Sequence, residues 1–125
     1  MRAVSRTIFV VDDNLTNLVV AKRLLAKDYR TFTMSSAERM FTLLEKLTPD
    51  LILLDIDMPV MDGFEALAAL KADEKFKGIP VIFLSAREDT ESRMHGYELG
   101  AADFVSKPFS PPELINSIEA HLRQL

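Results

Sequence analysis

The apolar residues of the chain gather in short runs that each stop at a polar residue. Thr7-Ile8-Phe9-Val10-Val11 stops at Asp12-Asp13, Leu51-Ile52-Leu53-Leu54 at Asp55, Val81-Ile82-Phe83-Leu84 at Ser85, and Asp103-Phe104-Val105 at Ser106-Lys107-Pro108. Runs without alternation, bounded by turn residues, read as strands buried on both faces. After Asp55, Pro59 removes a backbone donor and Asp62-Gly63 favours a turn, so that strand ends near Asp55. Tyr29 to Met34, short and Thr-rich, is the weakest strand of the set. Between the runs the spacing turns helical. Leu15, Leu18, Val19 and Leu25 share one stripe, with Lys22, Arg23 and Lys27 mostly outside it. Ser35-Ser36-Ala37-Glu38 fits a capping box opening a helix through Met40, Phe41, Leu44 and Leu47, which Pro49 ends. Phe64 to Ala72 is Ala/Leu-rich, and a charged loop around Lys75 to Gly78 follows it. Glu91 to Leu99 makes a poor helix: Gly96 costs ~1 kcal/mol relative to Ala, and Gly100 can close it as a left-handed cap. Ser110-Pro111-Pro112-Glu113 fits a second capping box, opening a helix with Ile115, Ile118, Leu122 and Leu125 on one face.

Five strands alternating with five helices imply right-handed crossovers and a parallel sheet covered on both sides. The predicted fold class is α/β, a doubly wound flavodoxin-like (βα)5 with a five-stranded parallel sheet in the order 2-1-3-4-5. The pattern alone does not separate this from half of a Rossmann fold; the polar residues favour it. With strands 1 and 3 adjacent, Asp12, Asp13 and Asp55 converge at the switch point, where open α/β sheets bind ligands. Strands 4 and 5 bring Ser85 and Lys107 to the same edge.

At 125 residues the chain reads as one domain, residues 1–125, long enough to bury a core without staples. It has no cysteine, which excludes disulfides, thiolate metal sites and Cys nucleophiles. The N-terminus lacks the apolar region of a signal peptide and no run approaches a membrane span, so a cytoplasmic location with no membrane partner is expected. A net charge of −4 without a basic block argues against direct nucleic acid binding.

Three neighbouring carboxylates repel unless a cation lies between them. An all-oxygen donor set suits magnesium better than a softer metal, with manganese as a substitute. A phosphoryl group arriving there meets a metal, the Lys107 ammonium and the Ser85 hydroxyl, the parts that phosphoryl transfer requires. One carboxylate then acts as the nucleophile and becomes an acyl phosphate.

Val11-Asp12-Asp13-Asn14, the stretch Leu53 to Gly63, Leu84-Ser85-Ala86 and Val105-Ser106-Lys107-Pro108-Phe109 together resemble the receiver domains of two-component response regulators, from about Thr7 to Leu125. The resemblance implies that Asp55 is phosphorylated by a histidine kinase or a histidine phosphotransfer protein. It implies Asp12 and Asp13 as magnesium-side acids, with Asp55 and the backbone carbonyl of Asp57 as further ligands. Ser85 matches the switch hydroxyl, Lys107 the phosphate-binding ammonium and Phe104 the aromatic switch residue. Pro108 matches a proline usually preceded by a cis peptide. The chain is then expected to catalyse only its own phosphorylation and dephosphorylation. Its signal would reach an output domain or protein, or a phosphorylation-dependent dimer, through the face of the fourth helix, fifth strand and fifth helix.

Taken singly, each residue has a plainer reading. Asp12 and Asp13 could serve only the helix dipole, Ser85-Ala86-Arg87-Glu88 also fits a capping box, and Phe104 could be core. His95 and His121 read as surface residues without a metal or catalytic role. Asp57 and Arg87 each lie two residues beyond a site residue, so a pair between them would screen an acyl phosphate from water; two solvated loop charges are the simpler reading. A rival function is a haloacid-dehalogenase-type phosphatase using Asp55 and Asp57 as an Asp-x-Asp motif. Pro59, the acidic pair preceding that motif, and a chain too short for a cap domain weigh against it.

Overall fold

The computed structural model describes residues 5–123. The elements run β1 (Thr7–Val11), α1 (Leu15–Leu25), β2 (Arg30–Met34), α2 (Ala37–Leu44), β3 (Leu51–Asp55), α3 (Gly63–Lys71), β4 (Val81–Ser85), α4 (Thr90–Leu99), β5 (Asp103–Ser106) and α5 (Pro111–Leu122). All strands are parallel, in the order β2-β1-β3-β4-β5, so the flavodoxin-like expectation holds. Leu125 lies outside the described residues.

Alternation along the buried strands sorts the core into two layers. Ile8, Val10, Leu51, Leu53, Ile82, Leu84 and Val105 face α1 and α5, where Leu18, Ala21, Leu25, Leu114, Ile118 and Leu122 meet them. Phe9, Val11, Ile52, Leu54, Val81, Phe83 and Phe104 face the other way, against Met40, Leu44, Ala66, Leu67 and Leu70. Because β1, β3 and β4 are covered on both sides, their sequences read as continuous apolar runs. The edge strand β2 is only partly covered, in keeping with its polar, Thr-rich sequence.

Several local expectations shift. The stripe of α1 is Leu18, Ala21 and Leu25, while Leu15 is 74% exposed and Val19 45%. Leu15 occupies the first turn, at the end of the helix nearest the sheet edge, and Val19 is rotated about 100° from Leu18. Ser36, not Ser35, caps α2 by accepting from the Arg39 N–H at 3.1 Å. That helix ends at Leu44, and Leu47 packs on the core from the loop beyond it. Asp62-Gly63 opens α3 directly: Asp62 and Glu65 form a reciprocal capping box. Ser110 caps α5 by position only, since its side chain makes no capping hydrogen bond. Gly100 does close α4 in the left-handed conformation, at φ 109°.

Gly96 has a positive reason to be there. A Cβ at this position would lie 2.6 Å from Phe104 Cζ and 3.0 Å from Phe83 Cε2, so the missing side chain is the notch into which both rings pack. Gly96→Ala gains up to ~1 kcal/mol of helix propensity but forces two buried rings aside at ~1–3 kcal/mol. The variant is expected to lose stability in urea unfolding, opposite to the sign that propensity alone would give.

Candidate functional site

The C-terminal ends of β1, β3 and β5 bring one cation against two buried carboxylates. Lys107 Nζ lies 2.8 Å from Asp12 Oδ2 and 2.9 Å from Asp55 Oδ1. Its stem reaches them because the Lys107 N–H donates to the Ser85 carbonyl at 3.0 Å, carrying the β4–β5 ladder one residue past the strand. The Lys107–Pro108 peptide is cis. Asp12 is fully buried and Asp55 nearly so, whereas Asp13 is exposed at the rim.

Burial is the largest influence on Asp55 and pushes its carboxyl up to about 6; the Lys107 hydrogen bond opposes this, while Asp12 and Asp13 add to the rise. Burial pulls the Lys107 ammonium down, but the two carboxylates outweigh it and hold its pKa above the ordinary value. One oxygen from each of Asp12, Asp13 and Asp55 lies within 4.8 Å of the others, a hard-oxygen donor set that fits a magnesium-sized cation.

Ser85 ends β4 at the same edge, but its hydroxyl faces its own loop, accepting from the Arg87 N–H at 2.9 Å. It does not cap a helix; Asp89 caps α4 instead, accepting from the Ser92 N–H at 2.8 Å. Phe104 is buried away from the carboxylates, its ring 5.3 Å from Phe83 and 5.1 Å from Tyr97. Asp57 and Arg87 do meet: Arg87 Nε lies 3.2 Å from both carboxylate oxygens of Asp57. That hydrogen bond is the first cause of a raised Arg87 pKa.

Two contributors escaped the sequence reading. Asn17 Nδ2 donates to Asp12 Oδ2 at 3.2 Å, and the Asn14 N–H donates to Asp12 Oδ1 at 2.9 Å, so the peptide and amide groups around the first turn of α1 fix the acid that Lys107 also holds. A polar residue in the first turn after the acidic pair was the available clue, because helical side chains lean back toward the N-terminus. His121 is a correction: it is half-buried on α5, 3.4 Å from Asp103 Oδ2, which also accepts from Ser117 Oγ at 2.7 Å. His95 is exposed as expected, though its ring lies 4.6 Å from that of Phe64.

Among the described residues no helix is long and apolar enough to cross a membrane. A sequence model of the response regulator receiver domain matches residues 8–119. The chain is 38% identical over 117 residues to a Vibrio cholerae protein named probable cyclic di-GMP phosphodiesterase, covering 94% of this chain and 26% of that protein. It is 35% identical over 122 residues to the phosphate regulon transcriptional regulatory protein PhoB of Pseudomonas aeruginosa, covering 97% of this chain and 53% of that one. The chain thus spans between about a quarter and about half of these relatives. Among solved structures, the receiver domain of the sensor histidine kinase PA1611 from Pseudomonas aeruginosa, with a magnesium ion in its active-site cleft, superposes with a TM-score of 0.86 at 28% identity, covering 95% of this chain and 98% of that one. Nothing in these matches supports the haloacid-dehalogenase-type alternative. The chain belongs to the receiver domain family of two-component response regulators.

Proposed function

We propose that Asp55 is the phosphoacceptor of a two-component phosphorelay and that a histidine kinase or histidine phosphotransfer protein is its donor. The carrying observation is the Lys107 ammonium bridging two buried carboxylates beside a third. Asp12, Asp13, Asp55 and the Asp57 backbone carbonyl would hold magnesium, or manganese in its place. The ion, when bound, would supply positive charge that offsets the acids and the phosphoryl group. An Asp55 carboxylate oxygen attacks phosphorus; the P–O bond forms as the P–N bond breaks, and the electron pair of that bond stays with the departing imidazole nitrogen. Lys107 moves its attraction from Asp55 to a phosphoryl oxygen, and Ser85 supplies a hydroxyl donor. Water later attacks phosphorus to release inorganic phosphate and restore Asp55, so the chain turns over only its own phosphoryl group. The paired side chains of Asp57 and Arg87 rim the mouth that this water must cross.

Withdrawal of Ser85 opens space toward Phe104, coupling the site to the face of α4, β5 and α5, where an output domain, a partner protein or a second phosphorylated copy docks in the cytoplasm. A small acyl phosphodonor with magnesium should load about one base-labile phosphate per chain, because Asp55 alone of the three acids takes the phosphoryl group in this reading. Many turnovers of a phosphomonoester would instead mark a phosphatase and overturn this reading.

A further inference from the structure

Arg87 does more than face Asp57. Its Nη1 donates to Ser92 Oγ at 3.3 Å, and its guanidinium carbon stands 5.8 Å from the centre of the Phe64 ring. With Nε on Asp57, one side chain touches the β3–α3 loop, the first turn of α3 and the first turn of α4. The peptide N–H of the same residue is bound to Ser85 Oγ. Arg87 is therefore tied through its backbone to Ser85 at the end of β4 and through its side chain to Asp57, two residues past Asp55.

The first turn of α4, Thr90-Glu91-Ser92-Arg93, brings no apolar side chain to the core; Tyr97 and Leu99 pack from its later turns. The buried residues of α4 are Ser92 and Gly96, neither of which brings a large apolar side chain. Its neighbour α5 buries Leu114, Ile118 and Leu122. A first turn without an apolar anchor depends more on polar ties, and such segments lie at the low end of local stability. Ser92 is the point where two of those ties meet, since its N–H caps on Asp89 and its hydroxyl accepts from Arg87.

We propose that Arg87 is a positioning residue that straps the first turn of α4 to the β3–α3 loop, and that movement of Ser85 Oγ toward a phosphoryl group on Asp55 releases the strap. The trigger rests on the phosphoacceptor reading above; the strap does not. As Ser85 Oγ turns to the phosphoryl oxygens it leaves the Arg87 N–H, the backbone of Arg87 shifts, and the guanidinium can no longer span Asp57 and Ser92 together. The first turn of α4 then loses a tie that its own sequence does not replace.

Amide hydrogen exchange on the full chain, without phosphodonor, tests the strap. Arg87→Ala should speed exchange in residues 90–96 by about threefold to tenfold, the range expected for one bidentate, partly exposed pair. Asp57→Ala, which cuts the far anchor in a different loop, should speed the same amides, and Ser92→Ala should do so by less. The central strands and α5 should exchange as in wild type throughout. Beryllofluoride with magnesium, added to wild type, should produce the same acceleration and add little to Arg87→Ala, a loss of response that a merely local structural role would not cause. Wild-type rates in residues 90–96 of either Arg87→Ala or Asp57→Ala would overturn the strap. An undiminished beryllofluoride response in Arg87→Ala would overturn the release. A wild-type chain that accepts no phosphoryl group fails the phosphoacceptor reading instead, and the exchange comparison without phosphodonor still decides the strap.

Discussion

Asp55→Asn is expected to accept no phosphoryl group from any donor and yet to be more stable than the wild type. The amide keeps the shape of the carboxylate and an oxygen that can accept from Lys107, but it cannot carry the acyl phosphate. The stability gain follows from the raised carboxyl, near 6 against an ordinary value of 3.8. Between those values the unfolded chain binds fewer protons than the folded one, so wild-type stability falls as pH rises through that window. Above it the fold carries the full cost of an ionised, buried Asp55; below about pH 4 both states are protonated and the cost is gone. The Asn variant has no such cost, so its advantage, ~1–3 kcal/mol, should be present at neutral pH and fade on acidification. Magnesium should narrow the gap, since it binds the wild-type cluster more tightly. Thermal melts at pH 7 and pH 4 without metal, with a phosphorylation assay beside them, decide both halves. A less stable variant at pH 7, or phosphate incorporated at the wild-type yield, would show that Asp55 is not the strained nucleophile described.

Gly63→Ala is expected to cost ~3 kcal/mol or more, despite exchanging a glycine for the best helix former. A Cβ on residue 63 would lie 2.4 Å from the Asp55 carbonyl oxygen and 2.7 Å from Ile56 Cα, so only main chain could yield. The Gly63 N–H donates to the Ile56 carbonyl at 2.8 Å, fastening the start of α3 directly onto the end of β3. The loop between them is already strained, with Val60 at φ 70° and its β-branched side chain fully exposed. Opening this closure to admit a methyl group displaces the backbone on both sides of Asp57 along with Asp55, so phosphorylation should slow as stability falls. Gly78→Ala is the control: nothing lies within 4 Å of its added Cβ, and it should change stability by less than ~1 kcal/mol. Equal unfolding midpoints for the two alanine variants in urea would refute the close approach.

The strand ends were legible because buried parallel strands write their burial as unbroken apolar runs, and the acids, hydroxyl and lysine that follow are polar interruptions at fixed places. The helices were less legible where the feature depends on rotation or reach. Leu15 and Val19 counted toward a stripe that Ala21 fills instead, since a small residue against a sheet is worth more to packing than its hydrophobicity suggests. Ser36 and Asp89 cap where Ser35 and Ser85 fit the same template, because a capping motif fixes spacing and not the point at which the chain leaves the strand. Gly96 looked like a defect until the rings of Phe83 and Phe104 supplied its reason, a contact between elements that no local pattern encodes. The Asp103–His121 approach joins two elements in the same way.

The contact of Tyr97 with Phe104, rings tilted 58° to each other, also gives the chain an optical reporter. There is no tryptophan, and Tyr29 and Tyr97 are the only tyrosines. Tyr29 lies near Arg6, Glu119 and Leu122, beside the start of β1 and the end of α5, away from the carboxylate edge. The Tyr97 ring is half-exposed and 5.1 Å from the Phe104 ring, so any displacement of that partner alters the asymmetry around a strong near-ultraviolet chromophore. A change in the near-ultraviolet circular dichroism of the unlabelled protein on phosphorylation therefore reports a change around Tyr97 and Phe104, with no tryptophan band to mask it.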